Sequence, residues 1–268
     1  MPLISINETE IYYEYFQENN PRGTIVFLNG VMASLGSWDD FTDHFRKMGY
    51  SILLHDFRGQ LKSSKPDKEI SFDDHVQDLS VLLKKLKIDK VILAGTSYGG
   101  EVALCFAIKY PAIISKIVII DSVSELDSLI KTTISSWIDT AETGNGTIFY
   151  RCALPWLYSS SFINRNMEML KEREKMMTAI PKDYFTGQIR LYQSFLTLDI
   201  TSDLKKITCP SLVICGEDDI LKPPSFSRII AANINRSEFF TIPNCGHVAI
   251  FEKPEELKTL ISGFLNKS

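Results

Sequence analysis

The feature that most limits how this chain can fold is a series of short, unbroken apolar runs. They fall at Thr24–Leu28, Ser51–Leu54, Val91–Ala94, Lys116–Ile120, Ser211–Cys215 and Phe239–Ile242. Runs of this length, rich in Val and Ile and without polar alternation, suit strands covered on both faces, as in a parallel sheet. Between them lie segments with helical spacing. In His75–Leu86 the residues Val76, Leu79, Leu82, Leu83 and Leu86 share one stripe, and Glu101–Lys109 opens another helix. Strands alternating with helices predict an α/β protein, its sheet mainly parallel and its crossovers right-handed. At the N-terminus, Leu3–Ile6 and Ile11–Tyr15 alternate apolar and polar residues around Asn-Glu-Thr-Glu, which reads as an antiparallel hairpin and brings the strands to eight.

One interval interrupts the alternation. From Ser122 to about Ile207 no buried strand is evident, while aromatic and methionine residues are frequent, among them Trp137, Phe149, Tyr150, Trp156, Tyr158, Met176 and Met177. A structureless loop of this length does not suit a compact domain. The expected organisation is a core domain of residues 1–121 and 208–268 with a helical lid, 122–207, inserted between its halves.

The whole chain narrows the function classes. Its 268 residues are enough for one large core, and 44% hydrophobic with 23% charged residues is ordinary for a water-soluble fold. A net charge of -4, with Lys and Arg scattered, gives no electrostatic reason to expect nucleic acid or an anionic membrane as partner. The first residues lack a basic segment followed by an apolar core, so they do not read as a secretory signal. No apolar run approaches the ~20 residues of a membrane-spanning helix. The five cysteines (Cys105, Cys152, Cys209, Cys215 and Cys245) form neither a disulfide framework nor a zinc signature, and the expected location is the cytoplasm. No phosphate-binding or dinucleotide fingerprint occurs, so neither cofactor nor metal is expected. A homo-oligomer is left open.

The strongest chemical signal is Val91-Ile-Leu-Ala-Gly95-Thr96-Ser97-Tyr98-Gly99-Gly100. An apolar strand runs into Gly-x-Ser-x-Gly and then directly into a helix-forming segment. Such a turn holds a serine in a strained backbone conformation with its hydroxyl exposed, and the glycines let strand and helix approach closely. The helix N-terminus beneath Ser97 presents unpaired N–H groups and the positive end of its dipole to a developing anion.

With this segment the chain resembles an α/β-hydrolase over nearly its entire length, in the serine-nucleophile branch of esterases and enol-lactonases with a helical lid. The resemblance implies the order nucleophile, acid, histidine. Of the four histidines His44, His55, His75 and His247, it selects His247, in Pro243-Asn-Cys-Gly-His247 after the last strand. His44 and His75 fall in expected helices and His55 ends a strand. The acid is expected after the preceding strand, in Gly216-Glu217-Asp218-Asp219. The family's Gly-x-x-Asp spacing points to Asp219; Asp218 stays a rival, and Glu217 is the weakest of the three.

The stretch Asn29-Gly30-Val31-Met-Ala-Ser34-Leu-Gly-Ser-Trp38 resembles the family's oxyanion loop, with Asn29 where histidine is usual. The backbone N–H groups of Val31 and Tyr98 are the implied oxyanion donors. Asn29 is either a polar residue capping the turn or a contact that alters substrate preference. Asp56 and Arg58 match a structural signature, and Glu101 reads most simply as a helix-dipole partner.

The implied chemistry is acyl transfer: Ser97 attacks a carbonyl, His247 moves the proton and Asp219 orients the imidazole. A serine at the elbow disfavours the haloalkane and epoxide chemistries that use aspartate there. Carboxylic ester, lactone and thioester hydrolysis come first, ahead of carbon–carbon bond hydrolysis, perhydrolysis, acyl transfer to another acceptor and slow-turnover ligand sensing. The lid's aromatic and methionine residues suggest an apolar pocket, with Trp137 and Trp156 as substrate contacts, or else form the lid's own core.

Overall fold

The computed structural model describes residues 3–267. Its centre is an eight-stranded sheet in the order β1-β2-β4-β3-β5-β6-β7-β8, comprising β1 (Leu3–Ile6), β2 (Thr9–Phe16), β3 (Thr24–Leu28), β4 (Ser51–His55), β5 (Val91–Thr96), β6 (Ile114–Ile120), β7 (Ser211–Gly216) and β8 (Ser237–Ile242). β1 and β2 form the expected hairpin, β2 runs antiparallel to β4, and all the remaining pairings are parallel.

The apolar runs of β3 to β7 are unbroken because both faces of the sheet are covered there, whereas the run in β8, at the sheet edge, leaves Phe240 exposed. Val26, Leu28, Leu93 and Val213 face one core with α2 (Phe72–Lys85), α3 (Tyr98–Lys109) and α8 (Pro224–Asn233). Ile25, Phe27, Ile92 and Leu212 face the other, closed by α1 (Asp39–Lys47) and α10 (Pro254–Asn266). A four-residue helix, α9 (Ala249–Glu252), precedes α10.

Helix α2 begins earlier than its apolar stripe. Ser71 Oγ accepts from the Asp74 N–H at 3.1 Å while Asp74 Oδ2 accepts from the Ser71 N–H at 2.9 Å, a reciprocal cap that adds Phe72, Asp73 and Asp74 to the helix.

Four helices fill the interval between β6 and β7: α4 (Ser128–Glu142), α5 (Gly146–Leu157), α6 (Ser160–Met177) and α7 (Lys182–Phe195). Three of them start on side-chain caps, with Asp127, Asn145 and Ser159 accepting from Ile130, Ile148 and Phe162 N–H groups. Trp137 of α4, Phe149 of α5 and Tyr192 of α7 pack ring against ring, with centroids 5.8 Å apart for Trp137–Tyr192 and 6.3 Å for Phe149–Tyr192. Helix α7 also rests on the sheet domain. Gly187 lies so close to the Gly59 carbonyl that a side chain has no room, and Gln188 Nε2 donates to Val31 O at 3.1 Å.

Candidate active site

Ser97 occupies the single residue between the end of β5 and the first turn of α3, with φ 52° and ψ -123°. A positive φ is costly for a residue with a Cβ, so the surrounding packing must hold it. Its N–H donates to Ile120 O at 2.8 Å, and its carbonyl accepts from Ser122 Oγ at 2.9 Å and from the Gly100 N–H at 2.8 Å. These bonds clamp the turn to β6 on one side and to α3 on the other.

The loops after β7 and β8 bring two further side chains to Ser97. His247 Nε2 lies 2.9 Å from Ser97 Oγ, and His247 Nδ1 lies 2.8 Å from Asp219 Oδ2. The other carboxylate oxygen, Oδ1, accepts from the N–H groups of Leu221 at 2.9 Å and Lys222 at 2.8 Å. A carboxylate only accepts, so Nδ1 carries the proton and Nε2 is free to accept from the Ser97 hydroxyl. Asp219 and His247 are each 2% exposed, whereas Asp218 and Glu217 face solvent. Of the three neighbouring carboxylates, the structure brings Asp219 to the imidazole.

Asp121 ties the two loops together from beneath. It follows the last residue of β6 with φ 49°, its Oδ1 accepts from the Gly216 N–H at 2.9 Å, and its Oδ2 accepts from the Ala249 N–H at 3.1 Å. Complete burial, reinforced by the nearby Asp219 charge, pushes its carboxyl well above the usual range.

The loop after β3 is held by a buried polar group. Asn29 is fully buried; its Nδ2 donates to His55 O at 3.0 Å and Gln60 Oε1 at 3.2 Å, and its Oδ1 accepts from Trp38 Nε1 at 3.1 Å. Gln60 Nε2 in turn donates to Gly30 O at 2.8 Å and Val31 O at 3.2 Å. Asn29 is therefore a strut behind the loop. The expectation that it contacts substrate is corrected, since its side chain is spent on these partners and lies outside the cavity lining.

Tyr98 directs its ring away from the site, its hydroxyl 2.9 Å from His75 Nε2 and 3.1 Å from Ser194 Oγ, and leaves its backbone at the helix start. As the first N–H of α3 it has no partner within the helix.

A cavity of about 500 Å³ opens above Ser97. Val31, Ser97, Tyr98 and His247 form its floor, and Trp137, Met177 and Tyr192 belong to its α4–α7 wall. Trp156 does not line it. That side chain is half-buried against the helices' own apolar cluster, which corrects the expectation of a substrate contact.

Lys222 escaped the sequence analysis, and Glu101, expected there as a helix-dipole partner, is instead its buried counterion. Lys222 Nζ lies 3.1 Å from Ser97 Oγ and 2.9 Å from Glu101 Oε1. Glu101 has no exposure, and burial raises its carboxyl to about 7 against the opposing pull of Lys222 and the Val123 N–H. Lys222 had no recognisable signal, being one lysine in Ile-Leu-Lys-Pro-Pro. Arg58 and Asp56 are structural, as expected. Arg58 pairs with buried Asp78 at 2.6 Å, and Asp56 accepts from the Leu35 N–H at 2.9 Å.

Among the described residues no three His, Cys, Asp or Glu side chains gather in a metal-binding arrangement, and no helix is long and apolar enough to cross a membrane.

Known proteins share this architecture. Residues 23–254 match the family model described as the alpha/beta hydrolase fold. The crystal structure of MGS-M2, an alpha/beta hydrolase enzyme from a Medee basin deep-sea metagenome library, is 32% identical with a TM-score of 0.95, covering 99% of this chain and 98% of that one. The enol-lactonase from Burkholderia xenovorans LB400 is 20% identical with a TM-score of 0.89, covering 99% of this chain and 100% of that one. The proline iminopeptidase of Thermoplasma volcanium is 24% identical over 292 residues, covering 99% of this chain and 96% of the relative. The chain belongs to the alpha/beta hydrolase fold family and is a hydrolase.

Proposed function

We propose that this hydrolase is a serine esterase that cleaves small carboxylic esters, lactones or thioesters through an acyl-enzyme. The observation that carries the reading is the continuous hydrogen-bonded path from Ser97 Oγ through His247 to Asp219, with separations of 2.9 and 2.8 Å. In this reading His247 accepts the Ser97 proton as Oγ attacks the carbonyl and then returns it to the leaving alcohol, while Asp219 steadies the imidazolium. The Val31 and Tyr98 N–H groups receive the charge that develops on the carbonyl oxygen.

Helices α4–α7 act as the lid, setting the acyl pocket. A cavity of about 500 Å³ with an aromatic and methionine wall suits a small apolar substrate. The five cysteines stand free of one another, which fits a reducing compartment, and we place the enzyme in the cytoplasm.

The test is fluorophosphonate labelling of wild type and Ser97→Ala, alongside p-nitrophenyl esters of increasing chain length and a matched p-nitroanilide. Labelling that requires Ser97, with ester turnover peaking at one chain length, is the expected result. Labelling of Ser97→Ala at the wild-type level removes the nucleophile assignment. Anilide turnover as fast as the ester's moves the substrate class to amides.

A further inference from the structure

Lys222 stands three residues beyond Asp219 in the loop before α8, and its own N–H helps to hold the Asp219 carboxylate. Its side chain is only 3% exposed. The ammonium has three donors and three partners: Glu101 Oε1 at 2.9 Å, Ser97 Oγ at 3.1 Å and the face of the Phe195 ring, with its centroid 4.4 Å away.

Glu101 projects from the first turn of α3 with no exposure, and its Oε1 also accepts from the Val123 N–H at 2.9 Å. Neutralising Glu101 requires only the first of the three contacts. It does not require that the ammonium touch the reacting oxygen.

We propose that Lys222 is a catalytic residue, donating a hydrogen bond to Ser97 Oγ whenever that atom carries developing negative charge. The inference rests on the serine-esterase reading above. In acylation the Oγ–H proton passes to His247 Nε2, Oγ bonds to the carbonyl carbon, and the carbonyl π pair moves to oxygen. That pair returns as the bond to the leaving alcohol breaks, and the alcohol takes the proton from His247. In deacylation water adds and gives its proton to His247. The carbon–Oγ bond then breaks, its electron pair stays on Oγ, and His247 returns the proton there.

Lys222 keeps all its protons throughout. The serine hydroxyl and the ester oxygen of the acyl-enzyme are both weaker acceptors than the oxygen in the two transition states. The bond therefore strengthens where it lowers a barrier. Glu101 and Phe195 fix the ammonium in place beforehand, so little reorganisation is needed.

The test compares wild type, Lys222→Met, and the double variants Lys222→Met/Glu101→Gln and Lys222→Gln/Glu101→Gln. The double variants leave no unpaired buried charge, and the two chemistries give alternative folded replacements, checked by thermal melting. With p-nitrophenyl acetate the folded double variants are expected to turn over about 10- to 100-fold more slowly. The Gln/Gln pair should be less impaired than the Met/Gln pair, because its amide can still donate to Ser97 Oγ. Steady-state turnover within threefold of wild type in either double variant overturns the proposal, because Lys222 is then only the counterion of Glu101. Fluorophosphonate labelling separates the two levels. An unlabelled wild type fails the esterase reading, whereas a labelled wild type with a fast double variant fails only the role of Lys222.

Discussion

Gly99 packs against the carbonyl group of Leu28, the last residue of β3, so closely that a side chain at Gly99 would overlap it and would lie 2.7 Å from Asn29 O. The backbone of the elbow thus rests directly on the strand that leads into the Asn29–Trp38 loop proposed to supply an oxyanion donor. Gly99→Ala can be accommodated only by moving α3 away from β3, and the obstructing atoms are backbone that cannot rotate aside. The expected outcome is a loss of about 2–4 kcal/mol of stability together with most of the hydrolase activity. Urea unfolding and fluorophosphonate labelling check both. Wild-type labelling and stability in this variant would mean that the elbow tolerates separation from β3.

The acid assignment leads to a paired prediction. Asp219 is buried, with one oxygen on His247 and the other on two backbone N–H groups, while Asp218 is exposed. Asp219→Asn places an amide where a carboxylate held the imidazole tautomer, so turnover should fall by about 10³- to 10⁴-fold. Asp218→Asn should stay within a few-fold of wild type. Steady-state kinetics on one p-nitrophenyl ester decides between them, and the reverse order would transfer the acid role to Asp218.

Strands β3 to β7 were legible because each is an apolar run covered on both faces, β1 and β2 because their residues alternate, and the elbow because strand, Gly-x-Ser-x-Gly and helix are contiguous. The family's order brought His247 and Asp219 forward as candidates and spacing alone left Asp218 open; in the fold Asp219 lies buried against the imidazole and Asp218 is exposed. Asn29, Gln60, Asp121 and Lys222 act through partners distant in the chain. Gln60 reaches back to Gly30, Asp121 spans to Gly216 and Ala249, and Lys222 reaches Ser97 and Glu101. No local periodicity marks a residue whose role depends on where another loop comes to rest. Trp137 and Trp156 show the same limit: both are aromatic residues in the inserted helices, yet only the first faces the cavity.

Asn29 leads to a stability prediction with a functional consequence. Asn29→Ala removes the acceptor of Trp38 Nε1 and the donor to Gln60 Oε1, both in a buried setting. Gln60 Oε1 keeps its bond from the Phe57 N–H at 2.9 Å, so the one orphaned group is the Trp38 indole N–H, and at about 1–3 kcal/mol it predicts a fall in the urea midpoint. Because Gln60 also holds Gly30 and Val31, kcat should fall while KM changes little. An unchanged kcat would show that the loop carrying Gly30 and Val31 does not depend on this strut.

Two buried imidazoles set the acid limb of stability. Burial lowers His55 to about 4 and, with Arg58 nearby, lowers His75 to about 3, against an ordinary 6.5. In the unfolded chain both take up protons as the pH falls through 6.5, while in the fold they do so only near 4 and 3. Across that window the unfolded state binds more protons, so stability falls as pH falls and the contribution levels off below the folded values. Between pH 7 and pH 5 each imidazole should remove about 2 kcal/mol. Neither ring nitrogen of His55 has a hydrogen-bond partner, and its ring meets Phe57 edge-on at 5.1 Å. His55→Leu should therefore be at least as stable at pH 7 and lose about 2 kcal/mol less than wild type on going to pH 5. Urea midpoints at the two pH values measure the difference. An unchanged loss would show that His55 does not stay neutral in the folded protein.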